Sequence, residues 1–245
     1  MIFYNELYSS QEAVEKWLEA IAGEVITSYP IDGVEETVVG FKRNVAVDLG
    51  ANIGLFSINA AKTFKHVYAF EAVPFLATIA THKLNIQHGF ENVVVNRLAA
   101  ADKTGQIIKI YKSKSGHPGD NTVFATDNMS LSEYDCCLTI SLEDVFRLID
   151  HDYIDYMKID IEGSEYPFLM NKDLSNIGII AMEIHEHHDD PTAMEKLQNH
   201  MSQYMHGWKI DKFNLICINK KHEIGIPPKT RETATGKIED MEKVF

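Results

Sequence analysis

Cysteine is scarce in this sequence. The chain of 245 residues contains three cysteines, Cys136, Cys137 and Cys217. Two neighbouring cysteines and one distant cysteine match neither a disulfide framework nor a zinc site built from cysteine pairs. This usage argues against a disulfide-stapled secreted fold, and it is typical of a protein in a reducing compartment.

Basic charge is also in short supply. The sequence has 23 lysines and arginines against 36 aspartates and glutamates, which gives a formal net charge of −13. Such a chain repels nucleic-acid phosphates and anionic membrane surfaces unless basic residues cluster locally. The densest basic stretches, Lys109–Lys114 and Lys220–His222, are short and interrupted, which is typical of a solvated face. We therefore expect neither a nucleic acid nor a membrane as a partner.

Long apolar segments are lacking too. No stretch of the sequence approaches the ~20 consecutive apolar residues that a membrane span requires. The first residues, Met1–Glu6, lack the basic region and the apolar core of a signal peptide. On these grounds we expect a cytoplasmic protein.

The composition that is present, 45% apolar and 24% charged residues, is that of an ordinary globular protein. The length suits one α/β domain with a proper core. Apolar residues at helical spacing in Gln11–Ala22 predict an amphipathic helix. We predict an N-terminal helical cap at residues 1–40, a main domain at residues 41–220 and a polar C-terminal tail at residues 221–245.

From Val45 onward, short apolar runs alternate with helical stretches, which indicates βαβ units and a mostly parallel, Rossmann-like sheet. The predicted strands are Val45–Leu49, His66–Phe70, Val93–Asn96, Tyr156–Ile159 and Ile177–Ile184. The predicted helices are Ile53–Thr63, Pro74–His88, Leu142–Ile149, Ser164–Met170 and Thr192–His206. The sequence thus predicts an α/β fold class with helices on both faces of the sheet.

Two regions depart from this alternation. Ile107–Lys112 and Cys137–Ile140 are predicted as short extended pieces on either side of a turn-rich segment, Ser113–Glu133, which is a candidate substrate loop. Near the end, Trp208–Lys212 and Leu215–Asn219 predict an antiparallel hairpin at the sheet edge.

The segment Val45–Gly54 joins an apolar strand to a helix through two glycines, Gly50 and Gly54. This places backbone N–H groups at the carboxyl edge of the sheet, where ligands bind. A dinucleotide fingerprint needs glycine where this chain has Asn52, so NAD is disfavoured. S-adenosylmethionine (SAM) needs no phosphate cradle, and Asp48 and Asn52 suit its nucleoside and amino-acid ends. We predict that Asp48, Gly50, Asn52 and Gly54 bind SAM.

The second strand ends at Glu71, whose carboxylate is placed to accept hydrogen bonds from both ribose hydroxyls of the cofactor. The alternative is that Glu71 only caps the helix that starts at Pro74. After the third strand, Ala100 and Asp102 are predicted to line the adenine slot. For Asp102, a plain turn position remains the alternative.

The fourth strand is followed by Asp160 and Glu162, and the fifth ends with Glu183 and His185. If strand alternation continues, Asp160 and Glu162 face the same side. We predict Asp160, Glu162 and His185 as catalytic residues, with His185 as the preferred general base and Asp160 also near the cofactor. In the alternative, Glu162 caps the next helix and Lys158 is an ion-pair partner. A divalent metal on the carboxylates stays open, although no metal is predicted.

Taken together, the motifs resemble the FkbM family of SAM-dependent methyltransferases. The resemblance covers about Asn44–Glu186, and it rests on Val47–Gly54, Phe70–Pro74, Ser141–Asp144, Met157–Glu165 and Ala181–His185. It implies a seven-stranded class I methyltransferase sheet with an antiparallel C-terminal hairpin. It also implies methyl transfer, commonly to a hydroxyl oxygen of a sugar, a polyketide or another small metabolite.

Two other functions remain open at the level of the sequence. A non-catalytic SAM- or nucleoside-binding module would keep the fold without the reaction, and a nicotinamide-dependent oxidoreductase would use the same crevice. The presence of Asp48, Glu71, Asp160 and Glu162 argues against the first, and Asn52 argues against the second. We therefore expect a small-molecule or carbohydrate acceptor and SAM as the cofactor.

Overall fold

The computed structural model of the chain describes residues 29–31, 34–114, 122, 128–185, 190–210, 213–226, 228 and 241–245. The strands are β1 (Val45–Leu49), β2 (His66–Phe70), β3 (Val93–Asn96), β4 (Ala99–Ala100), β5 (Ile107–Ser113), β6 (Met129–Ile140), β7 (Ile154–Ile159), β8 (Ile177–Glu183), β9 (Met205–Lys209), β10 (Asn214–Asn219) and β11 (Glu242–Lys243). The helices are α1 (Val34–Thr37), α2 (Leu55–Ala61), α3 (Pro74–Thr81), α4 (Leu142–Ile149), α5 (Glu165–Leu169) and α6 (Ala193–Met201), and a π-helical turn, His82–Gln87, continues α3.

The main sheet has eight strands in the order β3-β2-β1-β7-β8-β10-β9-β11. The strands from β3 to β8 in this order are parallel, and β10 runs antiparallel to both β8 and β9. The direction in which strands are added changes between β1 and β7, and such a switch point opens a crevice at the carboxyl ends of the strands. The predicted α/β class, the mostly parallel sheet and the C-terminal hairpin are confirmed.

Helices cover both faces of this sheet because the strand side chains alternate between two cores. Tyr156 and Ile179 belong to a core that includes residues of α2 and α3. Their neighbours Met157 and Ile180 belong to a second core, which includes residues of α4, α5 and α6. Both faces of β7 and β8 are therefore buried, which explains the near-continuous apolar runs of these strands.

Several expectations need correction. Among the described residues, the sheet has eight strands rather than seven, because β11 pairs with β9 within the stretch predicted to be a polar tail. The predicted helix Thr192–His206 ends at Met201, and the chain then enters β9. Ser113–Glu133 is not all loop, since β6 begins at Met129 and forms a long antiparallel pair with β5.

Other expectations lie outside the described residues. These include the amphipathic helix Gln11–Ala22, most of the predicted N-terminal cap and part of the candidate substrate loop. Among the described residues, no helix is long and apolar enough to cross a membrane.

Candidate functional site

The loop between β1 and α2 packs tightly against the ends of two neighbouring strands. The backbone N–H groups of Gly50 and Ala51 both donate to the Phe70 carbonyl at the end of β2, at 2.9 Å. Gly50 has φ +72°, and a Cβ at this position would overlap the backbone oxygen of Asp160 after β7. Only glycine fits this close approach. Gly54, at φ +86°, precedes α2.

Asp48, the fourth residue of β1, is fully buried. Its Oδ2 accepts a 2.6 Å hydrogen bond from Ser57 Oγ on α2, and its Oδ1 lies 3.5 Å from Lys158 Nζ. Burial raises the pKa of Asp48, although Lys158 and Ser57 oppose that shift. Lys158 Nζ also donates to the carbonyls of Leu49, at 3.3 Å, and Gly50, at 2.6 Å. Lys158 therefore holds the β1–α2 loop in place through these two hydrogen bonds.

Glu71 is buried just after β2 and bonds to the backbone of the β1–α2 loop and of the segment that precedes α3. Its Oε2 accepts from the N–H of Asn52, and its Oε1 accepts from the N–H of Val73, both at 2.7 Å. Burial raises the pKa of Glu71 to about 7, against the effect of these hydrogen bonds. Val73 is the N-cap of α3, so Glu71 connects the β1–α2 loop to the start of that helix, and its contact with the cofactor stays a prediction.

Asn52 gives a test of whether SAM fits this loop. It adopts a left-handed backbone, φ +52°, and its Oδ1 is buried without a hydrogen-bond partner among the described residues. A buried polar atom of this kind is normally satisfied. A donor on a bound ligand, such as the cofactor ammonium, would satisfy it, so the loop fits the cofactor.

The two residues predicted to line the adenine slot lie in different settings. Ala100, in β4, is buried. Asp102 has a half-exposed side chain, 3.4 Å from Lys172 Nζ, and Lys172 also pairs with Glu143. These contacts favour the turn alternative for Asp102, and the cofactor role of both residues stays a prediction.

The catalytic candidates lie at the ends of β7 and β8, which are adjacent parallel strands. β7 ends at Ile159, and the chain turns so early that Glu162 has φ +52°. Alternation therefore stops before Glu162. The Asp160 carboxylate lies 3.5 Å from Lys158 Nζ, whereas the Glu162 carboxylate lies 3.3 Å from His185 Nε2. Lys158 is an ion-pair partner, as the alternative interpretation held, but Glu162 faces His185.

His185 lies between carboxylates. Its Nδ1 is 2.9 Å from Glu165 Oε1, and its Nε2 faces Glu162 and, at 3.8 Å, Glu183. Burial lowers the pKa of His185, but the hydrogen bond to Glu165 and the surrounding negative charges outweigh this and raise it to about 10. Burial raises the pKa of Glu162 to about 8, although His185 opposes that shift. In this arrangement the imidazole holds a proton on each nitrogen at neutral pH.

Two side chains in the site were not singled out from the sequence. Glu165 is fully buried and fixes the His185 ring, while its Oε1 also accepts the Gly163 N–H at 3.2 Å. In the sequence it is an ordinary acidic residue in the first turn of a helix. Ser57 holds Asp48 and is one of several small residues of α2.

Asp160, Glu183 and His185 also offer ligand atoms within 4.8 Å of one another, a geometry able to hold a metal ion.

The sequence profile of the methyltransferase FkbM domain matches residues 48–210 of this chain. The chain belongs to the FkbM methyltransferase family. The matched span includes the β1 loop, Glu71, Asp160 and His185, so the FkbM domain contains the whole candidate site. This result favours a methyltransferase over the nicotinamide-dependent oxidoreductase that the sequence left open. No curated protein sequence matches the chain.

Three of the solved structures that are similar to this FkbM protein are 11–19% identical to it in sequence. A methyltransferase FkbM from Methylobacillus flagellatus KT is 19% identical, with a TM-score of 0.44, and the match covers 74% of this chain but 45% of that one. The chain thus spans less than half the length of that relative. A SAM-dependent methyltransferase from Leishmania major is 11% identical, with 89% and 79% of the two chains covered and a TM-score of 0.44. TrmK of M. capricolum, solved with S-adenosylhomocysteine, is 11% identical, with 72% and 62% covered and a TM-score of 0.38.

Proposed function

We propose that this protein is a SAM-dependent O-methyltransferase that modifies a hydroxyl group of a small molecule or a sugar. The observation that carries the proposal is the contact between the two halves of the site. Lys158 Nζ bonds to the Gly50 carbonyl in the cofactor loop, and it lies 3.5 Å from Asp160 in the catalytic cluster. A cofactor on the loop would therefore lie beside the carboxylates and His185.

Each residue of the cofactor half has a defined task in this proposal. Glu71 accepts the ribose hydroxyls, since a carboxylate with one backbone hydrogen bond on each oxygen retains acceptor capacity. Asn52 Oδ1 accepts from the ammonium, and the small Ala100 leaves room for adenine. Asp48 is held by Ser57 and Lys158, so it supports the loop from within the sheet and adds negative charge near a sulfonium.

The catalytic half orients the acceptor and removes its proton. When bound, SAM would supply an electrophilic methyl carbon with a neutral thioether as its leaving group, and Asp160 and Glu162 would hold the acceptor oxygen in line with that carbon. The hydroxyl proton passes to the carboxylate of Asp160, or to the ionised form of Glu162, whose pKa burial raises to about 8, because both nitrogens of His185 already face carboxylates. His185 was preferred as the base from sequence, and here it positions Glu162 instead.

The acceptor we propose is small and is not a nucleic acid, in keeping with the net charge of −13. We propose a cytoplasmic location, away from membranes. A reducing compartment agrees with three free cysteines, two of which, Cys137 and Cys217, are buried.

Calorimetric titration with S-adenosylhomocysteine tests the cofactor assignment. We expect saturable binding that weakens at least about tenfold in Glu71→Ala, the equivalent of two lost hydrogen bonds. The control is Glu91→Ala, which removes an exposed carboxylate and should bind as wild type. Absence of binding at millimolar ligand contradicts the proposal.

A panel of sugars and hydroxyl-bearing metabolites, incubated with methyl-labelled SAM, tests the acceptor class. We expect a labelled methyl ether from at least one hydroxyl compound. His185→Ala should bind S-adenosylhomocysteine normally and form product more slowly. Label found only on nitrogen, or on nucleic acid, would contradict O-methylation of a small molecule.

A further inference from the structure

The ends of β7 and β8 bring together three side chains of the kinds that bind divalent cations. Asp160 follows β7, Glu183 is the last residue of β8, and His185 lies two residues further on. One ligand atom of each lies within 4.8 Å of the other two. All three side chains are partly exposed, with 23–27% of each accessible, so an ion can reach them from the crevice.

The orientation of His185 selects the atom that would bind. Its Nδ1 is occupied by Glu165, at 2.9 Å, which leaves Nε2 facing Glu162, at 3.3 Å, and Glu183, at 3.8 Å. A metal-binding histidine almost always donates its second N–H to a carboxylate or a carbonyl, which fixes the ring and raises its basicity. Glu165 supplies that carboxylate from a position with no exposure to solvent.

The Glu165 carboxylate is an independent indication of a ligand. It is fully buried, it is directed at the His185 ring, and its Oε2 has no hydrogen-bond partner among the described residues. Four carboxylates, those of Asp160, Glu162, Glu165 and Glu183, surround one imidazole. Asp160 shares Lys158 with Asp48. A dication between the strand ends would balance this excess of negative charge.

We infer that Asp160, Glu183 and His185 form a divalent-cation site, with His185 Nε2 as the nitrogen ligand and Glu165 as a positioning residue. Two carboxylates and one imidazole suit Mn²⁺ and similar ions, and they leave coordination positions open. If the proposed function holds, one open position takes the acceptor hydroxyl, whose pKa the ion lowers. The ion would also replace the Nε2 proton, which ends the contact between His185 and Glu162.

The probe for this site is Mn²⁺ alone, added to the full-length protein after treatment with a chelator. We expect saturable binding of one ion by electron paramagnetic resonance, together with a nitrogen coupling from His185. Glu183→Gln and His185→Gln should each weaken Mn²⁺ binding at least tenfold. His185→Gln should also abolish the nitrogen coupling. Glu165→Gln should weaken it about 10- to 100-fold.

Glu143→Gln is the matched control, because it removes the same charge from an exposed ion pair with Lys172, and it should bind Mn²⁺ as wild type. Mn²⁺ should also raise the melting temperature of the wild type, which needs no variant to fold. No Mn²⁺ binding by the wild type, or equal binding by every variant, overturns the site. S-adenosylhomocysteine binding without Mn²⁺ binding overturns this inference alone, whereas Mn²⁺ binding without S-adenosylhomocysteine binding supports it and contradicts the proposed function.

Discussion

Glu71 bonds to the backbone at two places, to Asn52 in the cofactor loop and to Val73 before α3. Burial nevertheless raises its pKa to about 7, because two neutral N–H donors do not replace the water that the carboxylate loses. The charge of Asp48 raises this pKa further, and that of Lys158 lowers it. The affinity of this side chain for hydroxyl donors therefore depends on pH near neutrality.

We predict that the affinity for S-adenosylhomocysteine rises with pH through this range. Ribose hydroxyls donate to the ionised carboxylate, so the ligand favours the deprotonated form and releases a proton on binding. Because the group is mostly protonated at pH 6 and mostly ionised at pH 8, affinity should rise roughly tenfold between them. Calorimetric titration of the chelator-treated protein with S-adenosylhomocysteine, at pH 6 and at pH 8, measures this change in affinity. Glu71→Gln should bind weakly with a flat pH profile, and a profile that persists in this variant would assign the effect to another group.

The separate residues of the catalytic cluster were predictable, but the contacts between them were not. Asp160 and His185 were found because both follow apolar strands whose carboxyl ends meet in a parallel sheet. Glu165 was missed because its contact with His185 spans 20 positions and depends on where α5 packs. The same contact leaves both His185 nitrogens facing carboxylates, a property that no local sequence pattern encodes.

The β1–α2 loop shows how one element is fitted to another. Gly50 and Gly40 have the same φ, +72°, but a Cβ on Gly40 would meet nothing within 4 Å, whereas a Cβ on Gly50 would overlap the Asp160 backbone. An L-residue in place of either glycine would therefore incur the cost of a left-handed backbone, about 1–2 kcal/mol. Only Gly50 adds a steric conflict with the end of β7.

This pair makes a matched experiment. Gly40→Ala should lower the free energy of unfolding by the backbone term alone, and it should leave S-adenosylhomocysteine binding unchanged. Gly50→Ala should cost about 1–3 kcal/mol more, and it should weaken binding because the loop must move away from Asp160. Urea denaturation and calorimetry measure the two effects. Equal losses in both variants would show that packing against Asp160 is unimportant.

Some element boundaries were predicted correctly from the sequence, and others were not. The limits of β1, β2, β3 and α4 were predicted to the residue. The first half of β6 was taken for loop because Leu131–Tyr134 is exposed on both faces and so shows no alternation of apolar residues. β11 has two residues, too few for any periodicity, and it is held by pairing with β9 and by Phe245 packing against Gly207.

At the scale of the whole molecule, Lys158 is a buried charged side chain at the centre of the sheet. Its side chain is 5% exposed, and its Nζ lies 3.5 Å from both Asp48, which is fully buried, and Asp160. It also bonds to carbonyls at the end of β1, so it joins the two central strands. Removing one partner of a buried pair leaves the other charge uncompensated.

We therefore predict that Lys158→Met lowers the free energy of unfolding by about 3–5 kcal/mol. Lys196→Met is the control, because Lys196 pairs with Asp190 at 2.6 Å but is 58% exposed, and its loss should cost under about 1 kcal/mol. Adding Asp48→Asn to Lys158→Met should recover part of the loss, since the amide keeps the Ser57 hydrogen bond without the stranded charge. Urea denaturation of the wild type, the two single lysine variants and the double variant measures these differences in the free energy of unfolding. Similar losses of unfolding free energy in Lys158→Met and Lys196→Met would mean that the stability of the sheet does not depend on this ion pair. Lys158 would then act only on the cofactor loop and on Asp160.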